Sequence, residues 1–262
     1  MNWAIASRLD LRPWLAPIAL AAVWAITTSG EHGANPQLIA SPVSFIAALL
    51  QGLRDGSLPG AILSTLARAI TGFFIGTILG FSVGIVIGLW RRPRLIISPT
   101  VDALRQVALF AWIPLLSAWL GNGEAMKITL IALGAFFPVA LATAAGCANA
   151  PLPFLEVGRA LELGRRVQVT KIVLPAAAPD IVAGLELSLN IAWLGTIGAE
   201  YLIGTGYING MGDGVGAYLA AAREHARMDH VLVGVLALAI IGLALDRSVA
   251  LLSRRLFPWQ SR

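Results

Sequence analysis

The chain has 262 residues, of which 57% are hydrophobic and only 13% charged, and its mean hydropathy is +0.78. Soluble domains carry about 25% charged residues, so this is a membrane-class composition with little chain left for an aqueous domain. The net charge of +5 comes from basic residues scattered at the ends of apolar stretches, without interleaved aromatics, which argues against nucleic acid and for encoded membrane topology.

In chain order, charge-poor intervals predict about six transmembrane helices, at 13–30, 69–90, 106–123, 128–155, 181–199 and 231–245. The first five are long enough to cross about 30 Å of hydrocarbon, and the sixth becomes so once Met228 and residues past Asp246 join it. No segment alternates like a barrel strand, so backbone satisfaction in lipid requires helices. The expected fold is a single all-α integral membrane domain over 1–262. The first span, following Arg8 and Arg12, also reads as a signal peptide. No clean small-residue cleavage site follows it at 27–31, which favours a retained helix. Residues 42–53 are too short to cross and are expected to lie at the outer surface.

The second span carries Gly72, Gly76, Gly80, Gly84 and Gly88, four apart. Small residues at this spacing let another helix approach closely, and the expected role is packing within one chain rather than a dimer contact. Six crossings place both termini on one side. With Arg54, Arg68, Lys127, Arg223 and Arg227 opposite, the other fourteen of the 19 Lys+Arg mark the terminal side, and the 156–180 loop, as cytoplasmic.

That loop holds the most informative stretch. Glu156, Arg159, Glu162, Arg165, Arg166 and Lys171 are ionised, while Val157, Ala160, Leu161, Gly164 and Val167 recur at helical spacing. The pattern predicts a short amphipathic helix whose apolar stripe meets neither lipid nor core, and so faces a partner.

Other chemistry is sparse. There is no phosphate-binding G-x-x-x-x-G-K-[ST], since the only lysines are Lys127 and Lys171, and the glycines between 204 and 216 are expected to let an outer loop turn. No cofactor and no metal site is expected: His225 and His230 are five apart and do not stack on one helix face, so Glu224, His225, Asp229 and His230 read as outer-surface solvation. The single Cys147 reads as an inert buried thiol. Asp102 and Arg105 are spaced to pair, Glu186 lies inside the fifth span and Glu200 ends it.

The 156–175 segment resembles the EAA loop of permease subunits of bacterial ATP-binding-cassette importers: Glu-Ala-Ala, three residues, Gly, nine residues, Ile-x-Leu-Pro. Glu156, Ile172, Leu174 and Pro175 match in register, Val157 and Gly158 replace the alanines, and Glu162 occupies the glycine position. Arg105 to Pro114 with Trp112, the Gly121-Asn122-Gly123-Glu124 turn, Ala183-Gly184-Leu185 through Trp193, Ala199-Glu200, Ala222-Arg223-Glu224 and Arg254-Arg255-Leu256 before Trp259 look like the nitrate/sulfonate/taurine branch. The resemblance implies a type I importer permease (MetI-like) of the bacterial inner membrane that dimerises and works with two ATPase subunits and a periplasmic or lipid-anchored solute-binding protein. Glu156, Arg159, Ala160, Leu161, Glu162 and Gly164 would contact the ATPase, and Arg105, Trp112, Glu186, Trp193 and Glu200 are candidates for the solute path.

Three departures from the branch pattern carry expectations. Arg105-Gln106-Val107-Ala108-Leu109 lacks the prolines of the usual Arg-Pro-x-Pro-Pro, which restores backbone donors and predicts a more regular helix there. Glu186 stands where a basic residue is usual and would repel an anion in the path. Glu162 changes the tightness and charge of the loop. The alternative reading is an ion-gradient-driven secondary transporter or channel subunit, with Glu186 or Glu200 as its coupling acid. It is disfavoured by the absence of a visible internal repeat.

Overall fold

A computed structural model describes residues 12–28, 39–203 and 214–256, and every regular element among them is helical. Arg8, Trp259 and the glycines at 204–212 lie outside the described residues. After α1 (Arg12–Thr28) and α2 (Pro42–Arg54) come α3 (Ser57–Leu89), α4 (Arg91–Leu104), a 3-10 turn at Leu109–Trp112 and α5 (Ile113–Leu120). Helix α6 (Glu124–Ala148) is followed by α7 (Leu152–Ala160) and α8 (Arg165–Gln168), which passes through a π turn at Val169–Val173 into α9 (Leu174–Ile203). Two helices, α10 (Gly214–Glu224) and α11 (Met228–Leu256), complete the described chain.

Four segments are long and apolar enough to cross a membrane: Ser57–Leu89, Glu124–Ala148, Arg165–Ile203 and Met228–Val249. The pair Arg91–Leu104 and Leu109–Leu120, bent by 95°, makes a fifth when counted as one span. The 17 described residues of α1 lie at the short end of the roughly 17–25 of a crossing helix. The Trp24 indole N–H donates to Ala40 O at 2.8 Å, tying α1 to the start of α2. There Ser41 caps the helix by accepting from Ser44 N, with Pro42 in the first turn.

Two spans differ from expectation. The second begins at Ser57, twelve residues before its charge-free stretch, because a local turn launches it early. Asp55 accepts from Ser57 N at 3.0 Å and from its hydroxyl at 2.7 Å, with Gly56 left-handed between them. Those hydrogen bonds hold the Asp55 carboxyl below its usual range. Arg68 therefore sits within the helix and is buried, instead of flanking a span at the surface.

The third span is broken, not the regular helix expected from the missing prolines. Gln106 and Val107 donate to Ala103 O and Leu104 O, each at 3.2 Å, tightening the end of α4, and Ala108 is extended. Pro114 lies in the first turn of α5. Packing on two neighbouring helices opposes local propensity here: Leu109 fills the space over Gly134 and Gly195, and Phe110 occupies the space over Gly198. Non-helical backbone at such a depth is tolerated where it lines a cavity, and this segment does.

Helix α6 is the axis of the bundle, with α3 on one side and α9 on the other. Each ladder glycine faces it. A Cβ at Gly72 would lie 2.5 Å from Ile131 Cγ2, at Gly80 2.5 Å from Phe136 O, at Gly84 2.6 Å from Ala140 O and at Gly88 2.6 Å from Cys147 Cβ, while at Gly76 it would collide with Ala132 O. Across the seam Ile131, Ala135, Val139, Thr143 and Cys147 also advance by four, so four-residue ridges of both helices interlock. On the other face, Ser188 of α9 donates to Ala135 O at 3.0 Å, and Gly184 packs on Ala142.

Candidate functional site

The partner-facing segment lies at the end of the bundle formed by the junctions α3–α4 and α6–α7, here the lower end. The expected single amphipathic helix is two short ones with a turn between them. Helix α7 closes in a Schellman motif: Leu163 N donates to Gly158 O at 3.0 Å and Glu162 N to Arg159 O at 2.9 Å. Glu162 occupies the left-handed position of that motif at φ 50°, where a non-glycine residue costs about 1 kcal/mol. The glycine of the family pattern stands at this register, so the pattern has a backbone cause.

The turn is braced from behind. Gly158 is buried against Ile172, whose Cδ1 would lie 2.7 Å from a Cβ there. Gln168 Nε2 donates to Leu163 O at 2.8 Å, and Arg165 stacks over Trp90 with Cζ 5.5 Å from the ring centroid. Glu156, Arg159, Ala160, Leu161, Glu162 and Gly164 are all exposed. Val157 and Leu161, one turn apart, present apolar surface at 57% and 65% exposure.

From this segment the chain runs without interruption through Arg165–Ile203, 39 residues, or about 58 Å at 1.5 Å per residue. Near its far end Glu200 is fully buried. Arg68 Nη1 donates to Glu200 Oε1 at 2.7 Å, while its Nε and Nη2 grip Glu124 at 2.6 and 2.8 Å. Thr65 Oγ1 donates to Glu200 Oε2 at 2.8 Å and accepts from Val215 N at 2.8 Å, and Gly216 N donates to the same carboxylate at 3.0 Å. Lys127, also buried, stands 3.7 Å from Glu124. This neutral cluster of two bases and two acids ties α3, α6, α9 and α10 together at the upper end. Gly214, at φ 80°, leaves room for the Glu200 carboxylate, with which a Cβ would collide.

A cavity of about 710 Å³ opens between the broken span, α6 and α9, a size suited to a small molecule. It extends from Asn149 and Asp180 at the lower end to Gly134 and Ile191 at mid-span, with Arg105 and Trp112 in its lining. The Trp112 indole N–H is buried without an acceptor among the described residues. Arg105 Nε also pairs with Asp102 at 3.4 Å. The other path candidates lie elsewhere: Glu186 is exposed on α9 outside the lining, Trp193 packs against Gly242 of α11, and Glu200 belongs to the ion cluster.

Sequence reasoning took Arg68 and Lys127 as topology markers and Glu124 as part of a turn, and so missed their meeting. It also assigned His230 to solvent, yet the ring is buried between Tyr218 and Arg227. Burial pushes the Tyr218 hydroxyl pKa up.

Comparison with known proteins places these features. Residues 72–258 match the family described as binding-protein-dependent transport system inner membrane component. The chain is 35% identical, over 94% of its length and 87% of the relative's, to SsuC of Bacillus subtilis (strain 168), a permease whose name assigns it provisionally to aliphatic sulfonates. It is 29% identical to the taurine transport system permease protein TauC of Escherichia coli (strain K12), covering 98% of this chain and 92% of that one. It is likewise 29% identical to the nitrate import permease protein NrtB of Synechocystis sp. (strain ATCC 27184 / PCC 6803 / Kazusa), covering 96% and 91%. The chain therefore belongs to the binding-protein-dependent inner membrane components, as a multi-pass importer permease of the sulfonate/taurine/nitrate type.

Proposed function

We propose that two identical copies of this chain form the membrane path for a small anion delivered by a periplasmic or lipid-anchored solute-binding protein. Both termini and the 156–175 segment face the cytoplasm, where two separate ATPase subunits dock on Glu156, Arg159, Ala160, Leu161, Glu162 and Gly164. ATP hydrolysis belongs to those subunits, because this chain carries no nucleotide-binding motif. One observation carries the reading: an exposed, braced loop is continuous with a 39-residue helix that ends in a buried ion cluster at the opposite face. A push on the loop is thereby delivered to the far end of the bundle, and ATP and cargo bias the two access states by their differential affinities.

The printed names of the relatives, for aliphatic sulfonates, taurine and nitrate, support a small anionic cargo, as does Arg105 in the cavity lining. Glu186 supports the second copy. An exposed acid mid-span is expensive in lipid, so its face of α9 is covered by protein or water. The same relatives favour this reading over ion-gradient transport.

The test is Glu156→Lys, or deletion of 159–164, in the assembled transporter. ATP hydrolysis should continue while uptake is lost and membrane insertion is kept. Normal uptake by either variant refutes the assignment of the loop.

A further inference from the structure

We propose that Glu162 is a partner-selecting residue: its carboxylate makes a charge-assisted contact with a basic side chain of the ATPase, so that this permease accepts an ATPase carrying that base. The proposal rests on the docking role assigned above to 156–175, and its test separates the two.

Nothing among the described residues accounts for an acid at this position. Its backbone is left-handed at φ 50°, a conformation that glycine or asparagine adopts at lower cost. It follows the last turn of α7, where exposed carbonyls make the local potential negative and disfavour a carboxylate. Arg159, Arg165 and Arg166 lie within four residues of it, yet among the described residues Glu162 forms no ion pair and no side-chain hydrogen bond. Arg165 is instead stacked on Trp90. Local preference thus opposes the residue twice, and no contact among the described residues offsets either effect.

Its surroundings fit an interface. Glu162 borders the exposed pair Val157 and Leu161, at the edge of the apolar surface expected to dock. A charge at such an edge contributes mainly to partner choice, association rate and salt dependence, while the apolar centre contributes affinity. A carboxylate left unpaired by the described residues around it is available to an incoming cation of the right geometry.

The experiment measures binding of the purified permease to its separately purified ATPase at low and high salt, with Glu162→Gly, Glu162→Gln, Glu162→Lys and Leu161→Asp. Glu162→Gly and Glu162→Gln should each weaken binding about fivefold to tenfold at low salt and flatten the salt dependence, with Glu162→Lys weaker still. Glu162→Gly relieves backbone strain, so lost binding in that variant does not come from misfolding. If Glu162→Gly and Glu162→Gln bind as tightly as the parent while Leu161→Asp does not bind, the charge contact is refuted and the docking role survives. If Leu161→Asp also binds normally, the docking role itself fails, and this proposal with it.

Discussion

Helices α3 and α6 are joined twice, by opposite means. From Gly72 to Gly88 the glycines bring α3 close against the backbone and small side chains of α6, with Phe73 and Ile87 packing beside them. One four-residue step above Gly72, at Arg68, the same register carries a buried guanidinium, and one step above Ile131 it carries Lys127, also buried. The small-residue seam gives close approach without polar groups, and so works only over a pair of uninterrupted helices. The cluster above it gathers Thr65, Arg68, Glu124, Lys127 and Glu200 with the backbone of Val215 and Gly216, and so fixes four helices at one point. The seam makes α3 and α6 one body; the cluster decides where α9 and α10 attach to it.

The sharpest way to break this contrast is Arg68→Met. Removing one partner of a buried ion pair leaves an uncompensated charge, and the loss should be about 3–5 kcal/mol, read as reduced thermal stability of the detergent-purified protein. Adding Glu200→Gln to Arg68→Met should recover part of that loss, since Glu124 keeps Lys127 at 3.7 Å and no uncompensated acid is then left buried. A double variant no more stable than the single one would mean that packing, not charge pairing, holds the upper end.

A smaller effect tests the seam. Gly76→Ala places a Cβ against Ala132 O and Ala135 Cβ, and overpacking of this kind costs about 1–3 kcal/mol. Gly60→Ala in the same helix meets nothing within 4 Å and should stabilise by about 0.5–1 kcal/mol through backbone entropy. Opposite signs for one substitution at two positions would isolate contact from propensity. Equal signs would remove the seam from the account.

The seam was legible because it is periodic within one helix: five glycines at a fixed interval state what their face must do. The cluster was not, because its charged members are up to 132 residues apart and each, alone, looks like an ordinary charge at the end of a span. The available signal was their common level. Arg68, Glu124, Lys127 and Glu200 all fall at the same end of predicted spans, and Arg68 and Lys127 continue the four-residue register of the seam. The broken third span was misread for the converse reason. Counting prolines is a local argument, whereas Leu109 and Phe110 are seated by Gly134, Gly195 and Gly198 on two other helices. The loop segment was recognised from Glu156 and from Ile172 to Pro175, and the glycine of the family pattern marked the register of its turn, but the carboxylate at Glu162 itself gave no sign of a left-handed backbone.

That turn has a twin at the other end of the molecule, and the pair allows strain to be separated from binding. Helix α10 also ends in a Schellman motif, with Arg227 N donating to Ala222 O and Ala226 N to Arg223 O, and Ala226 takes the left-handed place at φ 52°. Ala226→Gly should therefore raise stability by about 0.5–1 kcal/mol, the relief of strain being partly offset by the greater freedom of glycine when unfolded. Glu162→Gly should raise it by a similar amount for the same reason. Only Glu162→Gly should alter affinity for the ATPase, because Ala226 lies at the upper end, about a membrane's thickness away. Thermal unfolding of both variants gives the shared term, and binding gives the difference. A drop in stability for Ala226→Gly would show that this turn is not strained, and the cost assigned to Glu162 would lose its parallel.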